Sequence, residues 1–187
     1  MFLVKSWFQK ELTEWAKSIV ISVILVIIIR QFIMIPYLVV GESMQPNFQN
    51  NDRVIVNRLM YYVHGPERSD VIVAHAPKIE KDIIKRVVAV SGDTVQVKGD
   101  ELCINKYCSI EPYLETIIQE RQLAHKQYNQ LDYGPAVVPN DHVFALGDNR
   151  SNSMDSRFDE IGMIPVNEVV GRVDIRFWPL HDFSIIH

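Results

Sequence analysis

A mainly β domain behind a single membrane-spanning helix is the fold class the sequence predicts, and two observations lead there. An uncharged apolar run, SIVISVILVIII, extends from Ser18 to Ile29 and resumes as FIMI beyond Arg30-Gln31. After it, short segments of alternating polar and apolar residues recur between Gly, Pro, Asn and Asp turns, the spacing of strands rather than helices. A chain of 187 residues holds one fair-sized domain, or a small domain plus a membrane segment.

The first element is the apolar run. From Ser18 to Ile35 it would cover about 27 Å as a helix, close to the thickness of a hydrocarbon core, with Arg30 near one end where its side chain can snorkel. Trp7 and Trp15 suit the opposite interface. Lys5, Lys10 and Lys17 precede the run and no basic residue follows Arg30 until Arg53, so the positive-inside rule puts residues 1–17 in the cytoplasm. Residues 18–36 then form a signal anchor and 37–187 an exported β-rich domain. A buried core helix would be less uniformly apolar. A cleavable signal peptide would need a better small-residue site than Val39-Val40-Gly41.

The strands follow in order. Arg53 to Asn57 (RVIVN) and Asp70 to Ala74 (DVIVA) flank the Gly65-Pro66 break. Asp82 to Val90 (DIIKRVVAV) closes at Ser91-Gly92-Asp93, and Thr94 to Lys98 (TVQVK) at Gly99-Asp100. Alternation puts Lys85 on one face with Ile83, Val87 and Ala89, so a lysine sits among apolar neighbours while Arg86 points the other way. The bland reading is a lysine that snorkels to the strand edge or pairs with an acid.

Glu101 to Cys108 (ELCINKYC) reads as a hairpin with Asn105-Lys106 at its tip. A two-residue loop would set Cys103 opposite Cys108 with Cα atoms about 4.5 Å apart, within reach of a disulfide, and an exported location permits oxidation. Two free thiols remain the alternative. The region of about 100–140 is expected to be an inserted, less regular part, and 111–133 irregular or partly helical. His142 to Leu146 (HVFAL) and Glu168 to Trp178 (EVVGRVDIRFW) complete the strands.

Composition excludes several functions. A net charge of −4 gives no electrostatic basis for binding nucleic acid. The six histidines and two cysteines lack zinc-site spacing, and no Gly-rich phosphate loop occurs, so neither metal nor cofactor is expected.

The chemistry centres on Ser43, in the turn Gly41-Glu42-Ser43-Met44-Gln45-Pro46-Asn47 just beyond the anchor. Read alone, this is a turn that contains a serine. A hydroxyl nucleophile needs a base, and His64, His75 and His142 show no triad pattern, which leaves Lys85. A lysine with a reference pKa of about 10.4 is neutral in about one molecule in 2,500 at pH 7, so burial has to lower that value, at a cost of about 4 kcal/mol.

These residues resemble type I signal peptidases, membrane-bound serine proteases that remove signal peptides from exported preproteins. GESMQPN resembles the nucleophile box, NDRVIVN the next strand box, KRVVAVSGD the lysine box and GDNRSNSMDSR the most distinctive box. The resemblance implies Ser43 as nucleophile and Lys85 as general base. Ser153 would hydrogen-bond and orient the lysine, and Asp155 and Arg157 would form a supporting salt bridge near Asp148. It implies cleavage after a small −1 residue, with Ile35, Pro36 and Val87 as candidate walls of the substrate pockets. It also implies signal peptides and membrane lipid as partners, proximity to the export translocon, and a single-pass place in the cytoplasmic membrane with the catalytic domain outside.

Asn47, Asn51, Ala89 and Ser91 depart from the usual pattern where threonine, glycine, glycine and proline are common. Gly41 stands where one branch of the family has an oxyanion-stabilising serine, so the chain looks more like the Gram-positive type, with the backbone N–H of Ser43 in that role. The rival from another class is a catalytically silent anchored β-domain that binds exported chains. A self-cleaving serine-lysine repressor domain shares the chemistry but gives no reason for an anchor.

Overall fold

The computed structural model describes residues 2–186, apart from the side chains of residues 2–10, 12, 28–32, 62 and 63. Helix α1 (Phe2–Phe32) carries the apolar run, and its side chains from Ile19 to Ile27 include eight large apolar ones that are 50–62% exposed. Among the described residues no helix is long and apolar enough to cross a membrane. The side chains of Lys5, Trp7, Lys10 and Arg30, on which the anchor's orientation was argued, lie outside the described residues.

The helix stops short of the boundary expected at residue 36, because β1 (Met34–Leu38) begins inside that range. Pro36 cannot continue a helix, and β1 is an edge strand, where a missing N–H is tolerated. Then come β2 (Arg53–Asn57), a short α2 (Met60–Val63), β3 (Val71–Ala76), β4 (Lys81–Val90) and β5 (Thr94–Lys98). The hairpin follows as β6 (Glu101–Ile104) and β7 (Tyr107–Ser109), and then α3 (Glu115–Leu123). The chain ends through β8 (Tyr133–Val137), β9 (His142–Leu146), β10 (Ile164–Pro165), β11 (Val169–Trp178) and β12 (Ser184–Ile185).

An eight-stranded sheet runs in the order β1-β2-β11-β3-β4-β9-β10, with β12 added to β11. Its alternating side chains feed two cores. Val71 and Val73 join Val54, Val56, Met44 and Phe48 on one face, while Ile72 and Ala74 join Val87, Val143 and Ala145 on the other. Each fully buried valine or phenylalanine is worth about 1.5–3 kcal/mol. A third core, with Phe144, Leu146, Val95 and Val97, ties this sheet to a second, four-stranded one in the order β7-β6-β5-β8.

The region of about 100–140 is therefore more regular than expected. It supplies three of the four strands of the second sheet, and only 112–123 is helical. Asn105 and Lys106 both have positive φ, 52° and 74°, as a two-residue hairpin turn of the primed type requires. Cys103 pairs with Cys108 across that hairpin and the two form a disulfide.

Alternation also breaks within β4. A bulge between Val87 and Ala89 moves Ala89 into a different core from Val87, so the face expected to hold both divides there. Arg86, placed by alternation on the other face, is as buried as its neighbour, at 6% exposure against 4% for Lys85.

Candidate active site

Ser43 is fixed by what flanks it. Gly41 turns the chain at φ 98°, where a side chain would be strained, and its N–H donates to Asn50 Oδ1 at 2.9 Å. Met44 and Phe48, each 1% exposed, sink the far side of the loop into the core. Asn51, where glycine is common, has φ 73°, a left-handed conformation that asparagine tolerates better than most residues.

The loop 147–157 closes on Ser43 from the other side. Asn149 N–H donates to the Ser43 carbonyl at 2.9 Å. Gly147 passes so closely that a Cβ there would stand 2.5 Å from that carbonyl and 2.1 Å from Ser153 Oγ, so only glycine fits.

Lys85 enters from the middle of β4. Its Nζ donates to Ser43 Oγ at 2.9 Å and to the Ile84 carbonyl at 2.8 Å. Burial lowers its pKa from the ordinary 10.5 to about 8, although the charges of Asp155 and Asp148 pull the other way. Neither carboxylate bonds to Nζ, since each is occupied by an arginine. Asp155 takes Arg157 Nε at 2.8 Å and Nη2 at 2.9 Å, and also accepts the Gly147 N–H. Asp148 takes Arg86 Nε at 2.9 Å and Nη2 at 2.7 Å.

The expected salt bridge of Asp155 and Arg157 is thus present, with Asp148 belonging to a second, separate pair. Ser153 differs from expectation. It is buried beside Gly147, but among the described residues its Oγ has no hydrogen-bond partner, and the Ile84 carbonyl holds Lys85 in its place.

A cleft of about 390 Å³ opens beside Ser43 and Lys85. Its walls are Tyr37 to Val40 on one side and Lys81 to Lys85 on the other. The structure does not bring Ile35, Pro36 or Val87 to it. Ile35 and Pro36 lie earlier on β1, and Val87 is wholly buried against Ile72 and Val143.

Several site residues escaped the sequence reading. Asn47, noted only as a departure, donates to Asp148 Oδ2 at 2.8 Å and to the Tyr113 carbonyl at 3.2 Å. Tyr128 OH donates to the Asp148 carbonyl at 2.8 Å, and Arg150 pairs with Glu111. The one signal that could have found Arg86 is chemical, because a buried Asp148 demands a cation and the lysine box offers an arginine beside the lysine. Among the described residues no cluster of His, Cys, Asp or Glu could hold a metal.

A buried lysine amine bonded to a loop serine, with the nearby acids neutralised by arginines, is an arrangement suited to nucleophilic catalysis at a hydroxyl. Comparison with known proteins agrees in class. The family described as signal peptidase, peptidase S26, matches residues 12–178. Signal peptidase I S of Bacillus subtilis (strain 168) is 38% identical over 176 residues, covering 93% of each chain. Signal peptidase IB of Staphylococcus aureus (strain Mu50 / ATCC 700699) is 37% identical over 183 residues, covering 94% of each. In the crystal structure of a signal peptidase I from Enterococcus faecalis V583, 98% of that chain aligns with 59% of this one at a TM-score of 0.52 and 29% identity. Sequence, fold and the chemistry beside the cleft converge, and the chain belongs to the signal peptidase family, peptidase S26, as a serine-type hydrolase.

Proposed function

We propose that the protein is a membrane-anchored endopeptidase that cleaves signal peptides from exported preproteins through a Ser43–Lys85 dyad and an acyl-enzyme. The observation that carries this reading is the 2.9 Å contact between Lys85 Nζ and Ser43 Oγ in a site where burial lowers the lysine pKa to about 8. At that value about one molecule in ten holds a neutral amine at pH 7, against about one in 2,500 for a free lysine.

Neutral Lys85 takes the Ser43 hydroxyl proton as Oγ attacks the carbonyl after the −1 residue. The tetrahedral oxyanion accepts a hydrogen bond from the Ser43 N–H, and the Lys85 ammonium then protonates the leaving amine. Lys85 next activates a water that hydrolyses the Ser43 ester. Asp155 and Arg157 brace Gly147 and the loop around it, Asp148 braces Arg86 beside Lys85, and Ser153 fills the space against Gly147. The cleft walls 37–40 and 81–84 suit an extended chain pairing by its backbone.

Residues 18–32 serve as the anchor in the cytoplasmic membrane, with 1–17 inside and the sheet domain from β1 onward outside. The exposed apolar side chains of Ile19 to Ile27 support this, since such a helix face needs lipid or protein cover. Anchoring holds the cleft at the surface where cleavage sites emerge from the translocon.

The test is processing of a preprotein by the detergent-solubilised protein beside Ser43→Ala and Lys85→Met. Both variants are expected to leave the precursor intact, and processing that persists in either contradicts the dyad.

A further inference from the structure

Segment 111–129, between β7 and β8, touches each of the three parts of the chain that build the dyad. On β4 the Arg86 guanidinium, next to Lys85, stacks over the Tyr113 ring with Cζ 4.1 Å from its centroid. In the loop 147–157 Arg150 pairs with Glu111, and Arg157 Nη1 donates to Asn129 Oδ1 at 2.6 Å. In the Ser43 loop Asn47 Nδ2 donates to the Tyr113 carbonyl at 3.2 Å. The dyad chemistry makes no direct use of this segment.

One side chain of the segment reaches two of these parts at once. The Tyr128 hydroxyl proton is shared between two backbone carbonyls, that of Asp148 at 2.8 Å and that of Gln45 at 3.3 Å. Gln45 lies two residues beyond Ser43, and Asp148 follows Gly147, the glycine packed against the Ser43 carbonyl. Both loops around the nucleophile are thus set against the same oxygen. Without its proton the two carbonyls have no donor between them, and each gains by moving apart toward another partner.

The hydroxyl is held independently of the loops it bridges. The Tyr128 ring is buried with Leu114 and Ile118 in a small core of its own. The backbone N–H groups of Tyr128 and Asn129 both donate to Asp100 Oδ1, at 2.9 and 2.8 Å, in the turn between β5 and β6. Tyr128 therefore carries the rigidity of the second sheet to the site.

We propose that Tyr128 is a positioning residue for acyl transfer, its hydroxyl fixing the separation between the Ser43 loop and the loop that begins at Gly147, so that segment 111–129 is part of the active site. This rests on the Ser43–Lys85 reading. A misplaced nucleophile attacks its substrate more slowly but leaves binding unchanged, because the cleft walls 37–40 and 81–85 belong to other segments.

The test uses the full chain in detergent and the acylation burst on a reactive peptide substrate, for the unsubstituted protein, Tyr128→Phe and Ile118→Val. Phenylalanine keeps the ring in its core and deletes only the hydroxyl, whereas Ile118→Val loosens the same core without removing a polar contact. Burst amplitude counts folded sites, so loss of folded protein lowers the amplitude and not the rate constant. In Tyr128→Phe the rate constant at saturating substrate should fall about three- to tenfold. The half-saturating substrate concentration and the pH at which the rate levels off should not change. Ile118→Val should lower Tm and keep the rate constant. A fall of less than twofold in Tyr128→Phe, an equal fall in Ile118→Val, or a shift in half-saturation or in the levelling pH overturns the proposal alone. Absence of cleavage by the unsubstituted protein overturns the Ser43–Lys85 reading with it.

Discussion

Asn47 Nδ2 donates to Asp148 Oδ2 at 2.8 Å and so ties the loop that carries Ser43 to the buried Arg86–Asp148 pair. The nucleophile loop and the strand that carries Lys85 are thereby held to a common carboxylate. Asn47→Ala should lower kcat about tenfold with little change in KM, since a loosened loop misplaces Ser43 without altering the cleft walls. Asn47→Thr, whose shorter side chain carries a hydroxyl donor, should recover part of that loss. Steady-state kinetics of the two variants checks this.

Breaking either buried ion pair should be costly. Asp155 is wholly buried, and removing its carboxylate leaves Arg157, itself 7% exposed, without its charge partner. Asp155→Ala is expected to destabilise the fold by about 3–5 kcal/mol. Replacing both members, Asp155→Leu with Arg157→Met, should cost less than Asp155→Ala alone, as measured by denaturant unfolding.

Lys85 should destabilise the protein at neutral pH. Its folded pKa of about 8 lies below the ordinary 10.5, so below pH 8 the amine is charged in both states and the folded state bears the burial penalty, about 3 kcal/mol. Between about pH 8 and 10.5 the unfolded chain binds more protons than the folded one, so stability rises with pH, and above that window both states are neutral and the penalty is gone. Lys85→Met should therefore be more stable than the unsubstituted protein at pH 7, with a difference that shrinks as pH rises through this window. Thermal unfolding across pH provides the measurement.

The Cys103–Cys108 disulfide closes a loop of sequence separation 5 in the second sheet, among the β6–β7 residues. Loop closure of that length is worth about 2 kcal/mol, so reduction should lower Tm by several degrees. Reduction should leave kcat unchanged, since neither sulfur touches the cleft. A thermal scan and an assay with and without reductant would show both effects.

β2 and β5 were legible because one face of each is buried and period-two alternation records it, whereas β3 and β9, buried on both faces, were legible as short apolar runs bounded by turn residues. β1 was hidden by the continuity of its apolar residues with the helix before it, and β10 and β12, two residues each, are too short to show a period. Chemistry offered Lys85 as a candidate base for Ser43, but their pairing across 42 positions rested on family resemblance, because no local pattern encodes a contact at that distance. The burial of Arg86 was not legible for the same reason, its compensating Asp148 lying 62 positions away. The place of Ser153 Oγ, buried against Gly147 and away from a hydrogen bond among the described residues, is set by tertiary packing that spacing does not specify.

The most direct test of the account is the pH dependence of Ser43 acylation, followed as the pre-steady-state burst on a reactive peptide substrate from pH 6 to 10. If Lys85 is the base, the rate should rise about tenfold per pH unit and level off near pH 8, and Lys85→Met should show no burst at any pH. A flat profile, or a burst that survives in Lys85→Met, would contradict Lys85 as the base.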